Sequence, residues 1–191
     1  MAVITQNGGG QGGSRWRIAV WGISAFLLLL PLLAMQFTTE VTWTGSDFGA
    51  FGAMLVAACG SYELAARMTG NTAYRAAVAV GIVAAFLLVW VNLAVGIIGS
   101  ESNPANLLFG GVLGIGLIGA LIARFEPQGM ARVLIATALA QAAVLVIALI
   151  ALTAELGPLF MLTGFFVALW LLSAWLFRKA AREQTVMGAT A

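Results

Sequence analysis

Five polar side chains are the best candidates for a binding site in this chain of 191 residues: Asn92, Glu101, Asn103, Asn106 and Gln141. An amide inside a membrane-spanning helix must find a hydrogen-bond partner or lose free energy in hydrocarbon. Glu101, Asn103 and Asn106 follow Asn92 closely, so the four could form a polar cup. Together with Gln141 they could line a path for a small neutral or weakly polar solute, because fixed charge is scarce.

The same residues also fit a purely structural interpretation. Asn92, Gly96 and Gly99 are spaced at i, i+4 and i+7, which predicts one small, polar helix face packed against another helix. Asn103 followed by Pro104 predicts a helix start, because Asn accepts from free backbone amides and Pro has no amide to leave unpaired. The sequence leaves a solute-lined cavity and a packing-and-capping role both open.

Glu63 is an acid within an apolar run, and acids in such positions serve proton relays in some transporters. Arg67 follows four residues later, in the orientation that favours an ion pair on a helix. Because both residues fall near the end of the run, we interpret them as an interfacial ion pair.

Residues that could build a catalytic or metal centre are few. The chain has no histidine and a single cysteine, Cys59, so the commonest haem, copper and zinc ligand is missing and an intramolecular disulfide is excluded. The apolar runs contain no nucleophile with a matching base and no two acids at one depth. We therefore predict no catalytic residue, no metal and no cofactor.

The elements that carry these residues are apolar helices. The composition is 62% hydrophobic and 8% charged, whereas roughly a quarter of the residues of a soluble domain are charged. Runs of about 20 apolar residues are long enough to span a bilayer. We predict an all-α, polytopic membrane bundle over 15–178, with six transmembrane helices at about 18–36, 48–68, 76–99, 105–123, 132–154 and 158–177.

The charged residues alternate between the connections of this bundle. One set of connections and ends holds every basic residue, namely Arg15, Arg17, Arg67, Arg75, Arg124, Arg132, Arg178, Lys179 and Arg182; the other set holds acids, namely Glu40, Asp47, Glu101 and Glu155. Because cytoplasmic loops retain Lys and Arg, this pattern predicts three hairpins with both termini in the cytoplasm. With no organelle signal visible, we expect a bacterial cytoplasmic (inner) membrane.

The two ends of the chain are predicted to be cytoplasmic tails. Residues 1–14 are rich in glycine and lack apolar periodicity, which is typical of a flexible segment, and 179–191 form a short basic tail. A competing interpretation makes 15–36 a cleaved signal peptide, since Arg15 and Arg17 resemble its basic start. Cleavage would leave five spans and break the alternation of charge.

Two glycine patterns suggest further organisation. The segments 101–104 and 155–158 share Glu-x-x-Pro, and Gly110 and Gly164 each follow the proline by six residues, which suggests a repeat of the second and third hairpins. Short loops under the positive-inside rule produce similar intervals without a repeat. Gly110 and Gly114 form a GxxxG pattern, which favours close helix approach within the bundle, with homodimerisation as the alternative.

Three functions are compatible with these features. The first is a structural or accessory membrane protein that packs against lipids, other membrane proteins or a second copy of itself. The second is a transporter or channel for a small neutral or weakly polar solute, and the third is a membrane-embedded enzyme that acts on a lipid or quinone. The net charge of +2 lies almost wholly in the loops, and no nucleic-acid partner is expected.

Overall fold

The structure, a computed structural model, describes residues 10–151 and 156–189, and these residues contain helices and no strand. Six of the described helices are long and apolar enough to cross a membrane, which confirms the predicted all-α, six-span architecture. The helices are α1 (Gly10–Phe37), α2 (Gly45–Met68), α3 (Thr72–Ala94), α4 (Leu107–Ile122), α5 (Pro127–Ala151) and α6 (Leu156–Ala189), and a 3₁₀ turn, Pro104–Asn106, precedes α4.

Both predicted tails are partly helical. Helix α1 begins at Gly10, so 10–14 belong to it, whereas 1–9 lie outside the described residues. Helix α6 continues to Ala189, well past the predicted end of the last span at 177. Of the suggested Glu-x-x-Pro repeat, Glu155 lies outside the described residues.

The chain divides into two compact units, and the first of them ends at Leu64. It contains α1 and most of α2, which meet through the buried pair Ser24 and Cys59, whose Oγ and Sγ atoms lie 3.0 Å apart. Ser24 also donates to the Val20 carbonyl oxygen at 3.0 Å. Much of α1 presents large apolar side chains on its surface, such as Phe26, which suits contact with lipid tails.

The second unit begins at Ala65 and holds α3 to α6. Helix α6 packs against both α3 and α5, and α5 packs in turn against α4. A stripe at three- and four-residue spacing runs along α6 and is almost completely buried, because two helices cover it. Its members are Leu159, Thr163, Phe166, Trp170, Ser173, Phe177 and Ala180. Although α3 and α4 are consecutive in the chain, α3 packs mainly against α6 and α4 packs mainly against α5.

Helix α4 approaches α5 through glycines other than the predicted pair. A Cβ added at Gly119 would lie 2.7 Å from Val133 Cγ1, and one at Gly116 would lie 3.4 Å from Thr137 Oγ1. A Cβ added at Gly110 or Gly114 would meet no described atom within 4 Å. The prediction that the 110–114 GxxxG pattern marks close approach within the bundle is therefore wrong, because those glycines lie on the open side of α4.

Helix α3 ends five residues earlier than predicted, at Ala94. Gly96 and Gly99 follow in the connecting loop, each with a φ of +72°, a left-handed conformation that ends a helix and that glycine adopts readily. The predicted helical face of Asn92, Gly96 and Gly99 does not form, since only Asn92 is on the helix.

Candidate functional site

The loop between α3 and α4 is organised by the side chain of Asn106. Its Oδ1 accepts hydrogen bonds from the backbone amides of Ile97 (3.0 Å) and Ile98 (2.9 Å), and its Nδ2 donates to the carbonyl oxygen of Ser100 at 2.7 Å. The same Nδ2 also lies 3.4 Å from the Ile98 carbonyl oxygen, so one side chain bonds to four backbone groups that lie outside any helix. Ile97 and Ile98 are 6% and 1% exposed, so the loop is closed by a buried apolar pair.

The two loop glycines permit this tight path. A Cβ at Gly96 would lie 2.5 Å from the carbonyl carbon and oxygen of Ser100, and one at Gly99 would lie 3.1 Å from Asn103 Nδ2. The first distance is far below any normal contact, and the atoms involved are backbone atoms that cannot rotate away. Backbone atoms of the loop therefore occupy the space that a side chain at Gly96 would need.

Asn103 caps the turn that leads into α4, as its spacing to Pro104 predicts. Its Oδ1 accepts from the backbone amide of Ala105 at 3.0 Å, and its own backbone amide donates to the Ser100 carbonyl oxygen at 3.0 Å. Pro104 occupies the first position of the 3₁₀ turn. Glu101 lies on the exposed side of the same loop.

Asn92 is near the end of α3 and bonds partly to its own helix. Its Nδ2 donates to the Leu88 carbonyl oxygen, four residues earlier, at 3.1 Å. Its Oδ1 is buried and accepts no hydrogen bond from the described part of the chain. The amides of Asn92, Asn103 and Asn106 thus all bond to backbone atoms of the chain itself.

Gln141 lies apart from that loop, on α5, and its side chain is completely buried. Neither Nε2 nor Oε1 has a hydrogen-bond partner among the described residues. A buried amide without partners costs free energy, so this position is the least satisfied of the five predicted candidates.

Two further buried polar groups, both on α6, were not among the candidates from sequence. Thr163 Oγ1 and Trp170 Nε1 are buried without a partner in the described chain, and their residues are 2% and 3% exposed. The signal that could have found them is their seven-residue spacing, which puts both on the stripe that α6 buries. In an apolar run, however, threonine and tryptophan are compatible with a buried face of the helix as well as with a face in contact with lipid, so the spacing alone does not single them out.

The basic end of the second unit contains a cleft of about 660 Å³ between α5 and α6. We call it the arginine cleft, after the residues that line it, which include Gln128, Arg132, Arg178, Arg182 and Thr185. None of the five predicted candidates is among its lining residues.

The arginine cleft also gives the register of α5 against α6, because Arg132 and Arg178 both line it. Gln141 is nine residues beyond Arg132, or roughly 14 Å along α5, and Trp170 is eight residues before Arg178, or roughly 12 Å along α6. Gln141 and Trp170 therefore lie at about the same depth in the bundle.

An ion pair joins the two helices of the first unit. Arg17 Nε lies 2.7 Å from Glu63 Oε1, and Trp21 Nε1 donates to Glu63 Oε2 at 3.4 Å. Glu63 therefore has partners on α1, which no local spacing rule predicts. The Glu63–Arg67 ion pair stays a prediction.

Six of the described helices are long and apolar enough to cross a membrane, and this shows the general class of the protein. It is a polytopic integral membrane protein. No family model, curated protein or solved structure matches the chain. Within the described residues, no three His, Cys, Asp or Glu side chains are grouped closely enough to hold a metal ion.

Proposed function

We propose that this membrane protein has a structural or accessory role, in which its helices pack against lipids or membrane-protein partners. In this role it sits in a bacterial cytoplasmic membrane, with both termini in the cytoplasm. The alternation of basic and acidic connections supports that orientation.

The hydrogen bonds of the loop between α3 and α4 are the main support for this role. The side-chain oxygen of Asn106 accepts from the Ile97 and Ile98 amides, and its Nδ2 donates to the Ser100 carbonyl oxygen. Asn103 caps the turn that follows. Side chains committed to their own backbone have little hydrogen-bonding capacity left for a solute. Asn103 and Asn106 lie in the loop where a solute path would begin, and their side chains instead stabilise the fold of that loop.

The outer surface of the spans agrees with such a role. Large apolar side chains are exposed on every span, for example Leu117 on α4 at 65%, Leu139 on α5 at 67% and Met161 on α6 at 79%. In a membrane these faces contact lipid tails or other apolar helices, and association there depends on packing.

Water access to Gln141 tests the proposal. In a Cys59→Ala chain, Gln141→Cys is treated with a membrane-impermeant maleimide applied to each side of sealed vesicles, with Leu139→Cys as the matched apolar control and Gln128→Cys as the accessible control. A thiol reacts only where water can ionise it. We expect label at Gln128→Cys alone, and label at Gln141→Cys without label at Leu139→Cys would exclude the structural role.

A second candidate function, passage of a small neutral or weakly polar solute, is favoured by the unpartnered amide of Gln141 at the depth of the Trp170 indole. A solute with one donor and one acceptor could pair with both side chains. Proteoliposomes distinguish the two functions: uptake of a neutral solute such as glycerol or urea that falls severalfold in Gln141→Leu would support transport, whereas permeability equal to that of protein-free liposomes supports the structural role.

A further inference from the structure

The arginine cleft has the chemistry of an anion site. Arg132 lies on α5, and Arg178 and Arg182 lie on adjacent turns of α6, so three arginines line one cleft. Guanidinium presents its N–H donors in a planar fork that matches the oxygens of a phosphate group. The lining residues that the structure describes include no acid.

Helix α5 adds to the positive potential. It begins at Pro127, so Gln128, which lines the cleft, is in its first turn. The first turn of a helix carries unpaired backbone amides and the positive end of the helix dipole. The side-chain amide of Gln128 adds a neutral polar group beside the three charges, whereas the hydroxyl of Thr185 donates to the Ala181 carbonyl oxygen at 3.1 Å.

The nearby acid on α6 is engaged on another side of the helix. Glu183 Oε2 accepts a hydrogen bond from Asn71 Nδ2 at 2.9 Å, in the connection between α2 and α3. Asn71 also accepts from the Tyr74 backbone amide at the start of α3, which holds it in place. In the described part of the chain, Glu183 therefore forms no ion pair with the arginines that line the cleft.

The position of the cleft along α6 is the one expected for lipid headgroups. The apolar part of α6 ends at Phe177, which is 1% exposed, and Arg178 follows directly. From Arg178 to Thr185 the helix rises roughly 10 Å, which is close to the headgroup layer of about 5 to 8 Å on each side of a bilayer. Trp175, 59% exposed and just before Arg178, is suited to the same interface.

We propose that the arginine cleft binds the phosphate of an anionic phospholipid headgroup. The three guanidinium groups hold the phosphate oxygens, and the acyl chains run along the exposed apolar surface of the adjoining spans. A soluble phosphate ester offers the same oxygens without the chains. The depth of the cleft favours the lipid as the source.

The test uses the full chain, delipidated in neutral detergent and titrated with dioleoylphosphatidylglycerol, with dioleoylphosphatidylcholine as the zwitterionic comparison. Lipid retention is read by native mass spectrometry, and the same titrations are followed by thermal unfolding. We expect selective retention of phosphatidylglycerol, and a loss of affinity of about tenfold or more in Arg178→Gln/Arg182→Gln. Lys179→Gln removes one charge from the same helix without lining the cleft, and we expect it to stay within about twofold of the parent.

Three outcomes would overturn the proposal. The first is equal retention of the two lipids. The second is an effect of Lys179→Gln as large as that of Arg132→Gln, a single cleft substitution, which would reduce the effect to general surface charge. The third is binding of glycerol 1-phosphate as tight as that of phosphatidylglycerol, which would assign the cleft to a soluble phosphate ester. Circular dichroism of every variant separates lost binding from lost fold.

Discussion

Ser173 on α6 donates its hydroxyl proton to the carbonyl oxygen of Ala77 on α3 at 2.7 Å, and both residues are completely buried. Two helices that are distant in sequence are thereby joined through a polar contact inside an apolar bundle. Gly81, one turn further along α3, allows the approach, since a Cβ there would lie 3.2 Å from Ser173 Oγ.

Replacing Ser173 by alanine should therefore weaken the α3–α6 contact. We expect Ser173→Ala to lower the free energy of unfolding by about 0.5 to 1 kcal/mol, the usual contribution of one interhelical hydrogen bond in a membrane. The measurement is reversible unfolding in mixed micelles. Thr163→Val is the contrasting variant: its hydroxyl is buried without a described partner, so its removal should leave stability unchanged or raise it. A larger loss in Thr163→Val than in Ser173→Ala would contradict this assignment.

Gly119 should be the least replaceable glycine of α4. The new methyl group of Gly119→Ala would lie 2.7 Å and 2.9 Å from the two Cγ atoms of Val133, so we expect a loss of about 1 to 3 kcal/mol from overpacking. The matched control is Gly114→Ala, where the methyl group meets no described atom within 4 Å and alanine favours the helix. Adding Val133→Ala to Gly119→Ala should restore part of the loss. Equal effects of the two glycine variants would show that α4 and α5 do not meet at Gly119.

Asn106 should matter for stability, and Glu101 should not. In Asn106→Ala the buried amides of Ile97 and Ile98 lose their acceptor, and we expect a cost of about 2 to 3 kcal/mol. Asn106→Asp keeps an acceptor for the Ile97 and Ile98 amides, and its carboxyl group can still donate to the Ser100 carbonyl oxygen when it is protonated, so at acidic pH its cost should be smaller than that of the alanine variant. Thermal unfolding in detergent, with Glu101→Gln as the control, measures the difference. A Glu101→Gln loss as large as that of Asn106→Ala would mean that the exposed acid, too, holds the loop.

The charge pattern predicts that the α2–α3 and α3–α4 connections open to opposite compartments. In a Cys59→Ala chain, Gly70→Cys and Ser102→Cys should each react with an impermeant maleimide from one side only, and from different sides. A methyl group at Gly70 would meet no described atom within 4 Å, so the substitution is sterically mild. Labelling of both positions from the same side of sealed vesicles would refute the predicted orientation.

Most of what sequence reasoning predicted correctly is local. The six spans follow from runs of apolar residues, and the turn before α4 follows from Asn103 and Pro104, because capping depends on atoms two or three residues away. The end of α3 was missed. The i, i+4, i+7 spacing of Asn92, Gly96 and Gly99 fits a helix, but both glycines have a φ of +72° in a loop whose backbone is hydrogen-bonded by Asn106, several residues on.

The amino-acid sequence by itself determined that this chain is an all-α membrane protein with six spans, because hydropathy and length are properties of short segments. The tertiary structure alone decided which surfaces meet: Ser173 with Ala77, Gly119 with Val133, and the arginines of α5 and α6 around one cleft. Every face of an apolar helix is compatible with lipid or with protein, so helix periodicity carries little information about the partner. Close packing between particular side chains makes that choice.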